Sequence, residues 1–306
     1  MPRHLTTRLG EGLIAIWGVV TIVFIVSRLL GDPAVLLLPI GATEAQLHEL
    51  RVQLGLDQPL LQQYLTFLLH ALKGDFGQSF QFARPALDVV LERLPATAML
   101  AGTALAIGVL IGGLAGALAA IYRGSAIEGL VLLVALLGQA TPSFWLGIML
   151  ILFFAVQLGW FPTGGYGERQ NLVLPSVTLA CFTTASIARL LRSSMLDVMR
   201  DDYVRTAYAK GLAPRRIYLW HVGRNSLIPV VTMTGILAGE LLGGAAVTET
   251  VFAWPGVGRL IVQAIETKDF PVVQAGVAVV AAIFVLVNLL VDLLYGLIDP
   301  RIRQAS

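Results

Sequence analysis

The sequence is poor in the side chains that carry out chemistry. Its 306 residues include one cysteine and four histidines. Cys181 alone cannot form an internal disulfide, and its place in an apolar run makes it a packing residue. Histidines at positions 4, 48, 70 and 221 are too scattered to argue a metal cluster. His48-Glu49-Leu50-Arg51-Val52 opens like a zinc-protease HExxH but lacks the second histidine, and no Gly-x-Ser-x-Gly elbow occurs. An intramembrane hydrolase therefore has no support. Lysine is as scarce. Lys73, Lys210 and Lys268 follow Leu, Ala and Thr, so no Gly-Lys-[Ser/Thr] phosphate loop exists, and the chain cannot bind ATP by that route. Charge is short too: 13% of residues, where a soluble domain carries about 25%.

What fills the sequence is apolar surface, at 57% of residues and a mean hydropathy of +0.80. A soluble domain of this length could not hide so much, so the class is an all-α polytopic membrane protein. Helical crossing takes about 20 apolar residues, and six runs qualify: Leu13–Leu30, Ala98–Ile121, Leu130–Val156, Leu172–Leu190, Ser226–Val247 and Val272–Leu294. The start, MPRHLTTRLGEG, leads through its apolar run into LLGDPA without a clear cleavage site, which reads as an uncleaved first span. With the N-terminus in the cytoplasm, most Lys and Arg fall inside. Arg189, Arg192, Arg200, Arg205, Lys210, Arg215, Arg216 and Arg224 do so in a single loop. Both termini are therefore expected in the cytoplasm. The expected organisation is a tail and first span over 1–30 and an extracytoplasmic helical segment over 31–97. A five-helix core over 98–298, containing the loop 189–229, and a tail over 299–306 complete it.

In the first long segment Thr43 and Gln46 form a capping box, and Leu60–Leu72 is an amphipathic piece lying against the membrane or the other spans. Pro85 starts a further helix, expected to end near Pro95. Gly108, Gly112 and Gly116 in span two, and Gly235, Gly239 and Gly243 in span five, form small-residue stripes suited to close helix packing, with a path-lining role as the sharper reading. Pro142 is expected to kink span three. Ionisable groups within a bilayer are costly and point to function. Glu240 in mid-span is the candidate to line a path and meet an amino group or a metal cation. Glu249 and Asp292 are expected at the interfaces.

The interval Arg189 to Pro229 organises the rest. Tyr203/Val204, Ala207/Tyr208 and Gly211/Leu212 recur every four residues, which places them on one face of a short helix, with Asp202, Arg205 and Lys210 off it. Gly211 can end that helix in a left-handed conformation, and Pro214 can open another.

This loop resembles the cytoplasmic "EAA" loop of ABC importer permeases. Ala207 and Gly211 match its pattern, whereas Arg205 and Thr206 replace its E and A. His221, Gly223 and Arg224 replace its I, L and P, and a Leu-Ile-Pro comes later, at Leu227 to Pro229. Those departures are similar to the peptide/nickel branch, with its DYVRTAxAKGL form. The phrases GDPA at 31–34, GDFGQS at 74–79, RLPAT at 93–97, ETVFAWPGVGRLIVQAI after span five and NLLVDLLYGLIDPRIR at the end resemble the same branch.

The resemblance implies a type I ABC importer permease fold. It also implies a helix that docks on an ATPase subunit through Tyr203, Ala207, Tyr208, Gly211 and Leu212, with Arg205, Arg215 and Arg216 at the rim. The implied partners are a second, homologous permease (as a heterodimer), two ATP-binding subunits that use ATP and Mg, an extracytoplasmic solute-binding protein and membrane lipid, with no nucleic acid. This chain would bind no cofactor itself. The implied place is the bacterial inner membrane, and the implied substrates are peptides, glutathione or nickel. Glu240, Gly239, Gly243 and Pro142 are the path candidates. A stand-alone ion-coupled transporter and a scaffolding membrane protein are the rival readings.

Overall fold

Backbone amides have no water to bond within lipid, so long apolar runs close their hydrogen bonds internally as helices. The computed structural model describes residues 2–29, 34–35, 38, 42–53 and 55–298. The Gly31-Asp32-Pro33 phrase, the tail 299–306 and the side chain of Asp292 lie outside the described residues. Among the described residues there is no strand, only an isolated bridge between Gln78 and Pro85.

The helices are α1 (Pro2–Leu29), α2 (Glu44–Gln53), α3 (Leu60–Leu72), α4 (Ala86–Ile121), α5 (Ala126–Ala140), α6 (Ser143–Leu150), α7 (Val173–Val198) and α8 (Asp202–Ala209). They continue with α9 (Pro214–Arg216), α10 (Arg224–Gly244), α11 (Ala246–Val251), α12 (Val257–Glu266) and α13 (Phe270–Ile298). Ile151–Gln157 prolongs α6, and Ile217–Gly223 joins α9 to α10, both as π-helix.

Among the described residues five helices are long and apolar enough to cross a membrane: 7–29, 86–121, 169–198, 214–243 and 270–291. The expected third span is different. It divides into Ala126–Ala140 and Ser143–Gln157, bent by 105°. Pro142 therefore breaks the helix where a kink was expected. Its ring pushes the preceding residue out of the α region, and Thr141 is extended, at φ −81 and ψ 123. Six crossings are reached only if the bent pair counts as one.

Pro95 corrects a second expectation. It ends nothing: α4 runs through it for 36 residues, about 54 Å at 1.5 Å per residue, longer than a bilayer is thick. The expected division at 97/98 thus falls inside one helix. Interior proline costs about 3 kcal/mol, and packing on both sides of it offsets that. Val89 and Val90 sit in one buried cluster, Ala96 and Leu100 in another, and Trp254 Nε1 donates to the Ala96 carbonyl at 2.9 Å.

The glycine stripe of α4 packs along α7. A methyl group on Gly112 would lie 2.7 Å from the Thr184 carbonyl oxygen, and Gly108 and Gly116 are pressed on Thr183 and Ala188. In α10, Gly235 and Gly239 pack likewise on Val291 and Phe284 of α13, while Gly243 faces open space.

At the end of the bundle opposite the loop 199–213, short elements form a cap. Glu249, expected at an interface, is fully buried there. Its carboxylate accepts from Thr97 Oγ1 at 2.7 Å and from the Arg259 amide at 2.9 Å, and Thr97 Oγ1 in turn accepts from the Val257 amide at 2.8 Å. The first turn of α12 is thereby satisfied from below. Burial pushes this carboxyl above the usual carboxylate range, and the donors from Thr97, Arg259 and Gly258 pull against that. Asp269, also buried, ties the Ser79–Gln81 loop to the start of α13, accepting from Ser79 Oγ at 2.5 Å and the Gln81 amide at 3.1 Å.

Candidate functional site

The site is the end of the bundle where α7 gives way to α8. Asp201 precedes α8 in an extended conformation, and the helix lasts eight residues. Its end is a Schellman motif: Leu212 N–H donates to the Ala207 carbonyl at 3.3 Å, and Gly211 N–H to the Tyr208 carbonyl at 2.9 Å. Gly211 has φ +74, which the motif requires and which a residue with a Cβ resists. Pro214 then opens α9 at its first position.

The apolar stripe read from the sequence is split by the fold. Val204 and Ala207 are buried, within the cluster that contains Leu191, Met195, Ile217 and Val222, and Leu212 packs on its edge. Ala207 is therefore the root of α8 in its own bundle, not part of an open face. The helix had to bury something to stand at all, since eight residues are too few to hold by propensity. Tyr203, Tyr208 and Gly211 remain exposed beside Arg205, and Arg215 and Arg216 are exposed on the next helix. Tyr203 is fixed in place, because Asn225 Nδ2 donates to its hydroxyl at 2.7 Å and that hydroxyl donates to the His221 carbonyl at 3.3 Å. Arg205 pairs with Asp202 at 3.6 Å, one turn back and fully in solvent.

Beside α8, Ala213, Arg215, Arg216, Leu219, Trp220 and His221 line a hollow of about 720 Å³. A half-buried ion pair joins α5 to α7. Arg192 of α7 donates through Nε to Glu128 of α5 at 2.7 Å, and Glu128 also accepts from the Gly124 amide at 2.6 Å. The sequence reading missed this pair. Its one signal was an acidic residue just before an apolar run, five residues after Arg123 of a short loop.

The path candidates do not come together. Glu240 lies on a face of α10 that the described residues leave uncovered, with Ile236 and Gly243. It sits near the end of the crossing 214–243 rather than at its middle. Gly239, one residue away, is buried against Phe284 and Asn288, which makes it a helix-packing residue. Pro142 lies at the break between α5 and α6, exposed and apart from both. Among the described residues no three His, Cys, Asp or Glu are placed to hold a metal ion.

Comparison with known proteins places this geometry. The chain shares the fold of the MetNI methionine ABC transporter in its inward-facing form, with a TM-score of 0.56 at 18% identity, over 69% of this chain and 96% of that one. A di/tripeptide transport system permease protein of Pseudomonas aeruginosa is 40% identical, covering 99% of both chains. The glutathione transport system permease protein of Escherichia coli K12 is 42% identical over 94% of this chain and 96% of its own. A putative peptide transport system permease protein of Brucella abortus is 41% identical over 99% of both. Residues 1–101 match the N-terminal component of binding-protein-dependent transport system membrane proteins. Residues 94–304 match the binding-protein-dependent transport system inner membrane component. The ion-coupled alternative is set aside by these matches: the chain belongs to that inner membrane component family, and it is the membrane-spanning permease subunit of an ABC importer.

Proposed function

We propose that this permease moves short peptides or a peptide-like thiol such as glutathione, driven by ATP hydrolysed in separate subunits. The relatives that match it end to end are peptide and glutathione permeases by name, which supports that substrate class; nickel has only the branch resemblance behind it. The chain lies in the bacterial inner membrane with the loop 199–213 and both termini in the cytoplasm, as the Lys and Arg distribution favours. There α8 presents Tyr203, Tyr208 and Gly211 to an ATPase subunit, with Arg205, Arg215 and Arg216 at the rim. Rocking of that subunit reaches the bundle through the buried root at Val204 and Ala207. ATP and Mg are used by two such partners, and this chain binds no cofactor of its own. A second, similar permease covers the open face of α10, so that Glu240 and Gly243 meet the path between the two. An extracytoplasmic binding protein delivers the substrate.

One observation carries this reading. A helix of eight residues is held out from the bundle with its two small apolar side chains buried and its two tyrosines left uncovered. Uptake of labelled di- and tripeptides into vesicles tests it. Transport should require ATP on the cytoplasmic side and survive collapse of the proton and sodium gradients. Uptake that persists without ATP and stops with the gradients would refute it.

A further inference from the structure

Helix α3 divides its surface three ways. At 100° per residue, Tyr64, Phe67, Leu68 and Ala71 form one face, Leu61, Leu65, Leu69 and Leu72 a second, and Gln62, Thr66, His70 and the following Lys73 a third. The first face is packed and half-buried. Phe24 of α1 meets the rings of Tyr64 and Phe67 at 5.3 Å each, and the hydroxyls of Thr21 and Tyr64 are 2.6 Å apart. The third face is polar and exposed. The second is apolar and open among the described residues, with Leu61 69% and Leu72 85% exposed.

The contacts with α1 fix how deep α3 sits. The crossing part of α1 ends at Leu29, beside Arg28. Thr21 and Phe24 lie about 12 and about 8 Å before that end, at 1.5 Å per residue. Tyr64 and Phe67 are therefore level with a part of α1 that is inside the hydrocarbon. The residues of α1 alongside, Ile22, Ile25, Val26 and Leu29, are themselves open apolar surface, so the leucine face of α3 continues a lipid-facing surface. Amphipathic helices that lie in a bilayer interface sink about 5–10 Å, and these contacts sit about 8–12 Å below Leu29, at the deep end of that range.

We infer that α3 is embedded in the membrane leaflet at the Leu29 end of α1, with Leu61, Leu65, Leu69 and Leu72 in the acyl chains and Gln62, Thr66 and His70 toward water. Its partner is the lipid itself. The segment between the first two crossings is thus anchored at a second place, and the Ser79–Gln81 strap beyond it is held at a set height against α13. This inference rests on α1 crossing the membrane and is independent of the ATPase-docking reading.

The test places spin-labelled single cysteines at Leu65, Leu69, Gln62 and Thr66, each in a Cys181→Ser background. The full-length chain is purified with its co-expressed partners and reconstituted in phosphatidylethanolamine–phosphatidylglycerol vesicles. The ratio of collision with oxygen to collision with a water-soluble nickel chelate should be several-fold higher at Leu65 and Leu69 than at Gln62 and Thr66, as for a helix with one face in the acyl chains and one toward water. Equal ratios at all four would put α3 in water and overturn the inference. Shielding of Leu65 and Leu69 from both reagents would also overturn it, by showing that protein covers the stripe. Should Leu65→Cys fail to assemble, Leu72→Cys at the open end of the helix gives the same reading.

Discussion

Gly211 gives the sharpest test of how α8 is built. Its φ of +74 lies where a Cβ costs roughly 1–2 kcal/mol, yet apart from its chain neighbours no described residue comes within 4 Å of where that Cβ would be. Gly211→Ala therefore meets no clash, and its whole effect is on the backbone. The cost falls on the last turn of an eight-residue helix whose hold on the bundle is Val204, Ala207 and Leu212, so the docked conformation loses population by about 5- to 30-fold. The apparent affinity for the ATPase subunit should fall by the same factor. Gly211→Asn should lose much less, because asparagine tolerates the left-handed region. Gly211→Asp adds a charge on the docking surface and should uncouple transport while leaving the chain inserted in the membrane. The assay is titration of purified ATPase subunit onto the reconstituted permease pair. Wild-type affinity in Gly211→Ala would refute the argument. Equal loss in the alanine and asparagine variants would show that an added side chain on the docking surface, and not the backbone conformation, is the cause.

Two other predictions concern the frame that holds α8. Glu249→Ala strips acceptors from the Thr97 hydroxyl and the first amides of α12 at a fully buried position, which should cost about 3–5 kcal/mol. Glu249→Gln keeps the shape and one acceptor oxygen and should cost less; thermal unfolding in detergent, followed by a dye reacting with Cys181 as it is exposed, ranks the two. Gly112→Ala presses a methyl on the Thr184 carbonyl and should lower stability by about 1–3 kcal/mol, whereas Gly113→Ala faces open space and should not. Similar melting of both glycine variants would remove the close-packing account of the stripe.

Much of this molecule can be read without coordinates, because lipid leaves the backbone few options. The apolar runs locate five crossings, the glycines at four-residue spacing mark the α4–α7 and α10–α13 contacts, and Gly211 with Pro214 punctuates the loop. The failures have a common cause. Helical spacing shows which residues share a stripe but not which half of that stripe the chain's own core takes, so Ala207 reads as open when it is buried. Proline signals a disturbance and leaves its size to the neighbours. Pro95 is held in line by packing on both sides, whereas Pro142 has little around it and the helix breaks. Glu249 and the Glu128–Arg192 pair were out of reach because each depends on one partner 64 or more residues away.

The central claim is that α8 stands on the cytoplasmic side and touches the ATPase. Tyr208→Cys in a Cys181→Ser background measures both at once. An impermeant maleimide should label it in inside-out vesicles and not in intact cells, and a short reagent with one thiol-reactive and one amine-reactive end should join it to lysines of the ATPase subunit in the assembled transporter. Labelling from the outside of intact cells, or assembly in which that cysteine never links to the ATPase, would contradict the account.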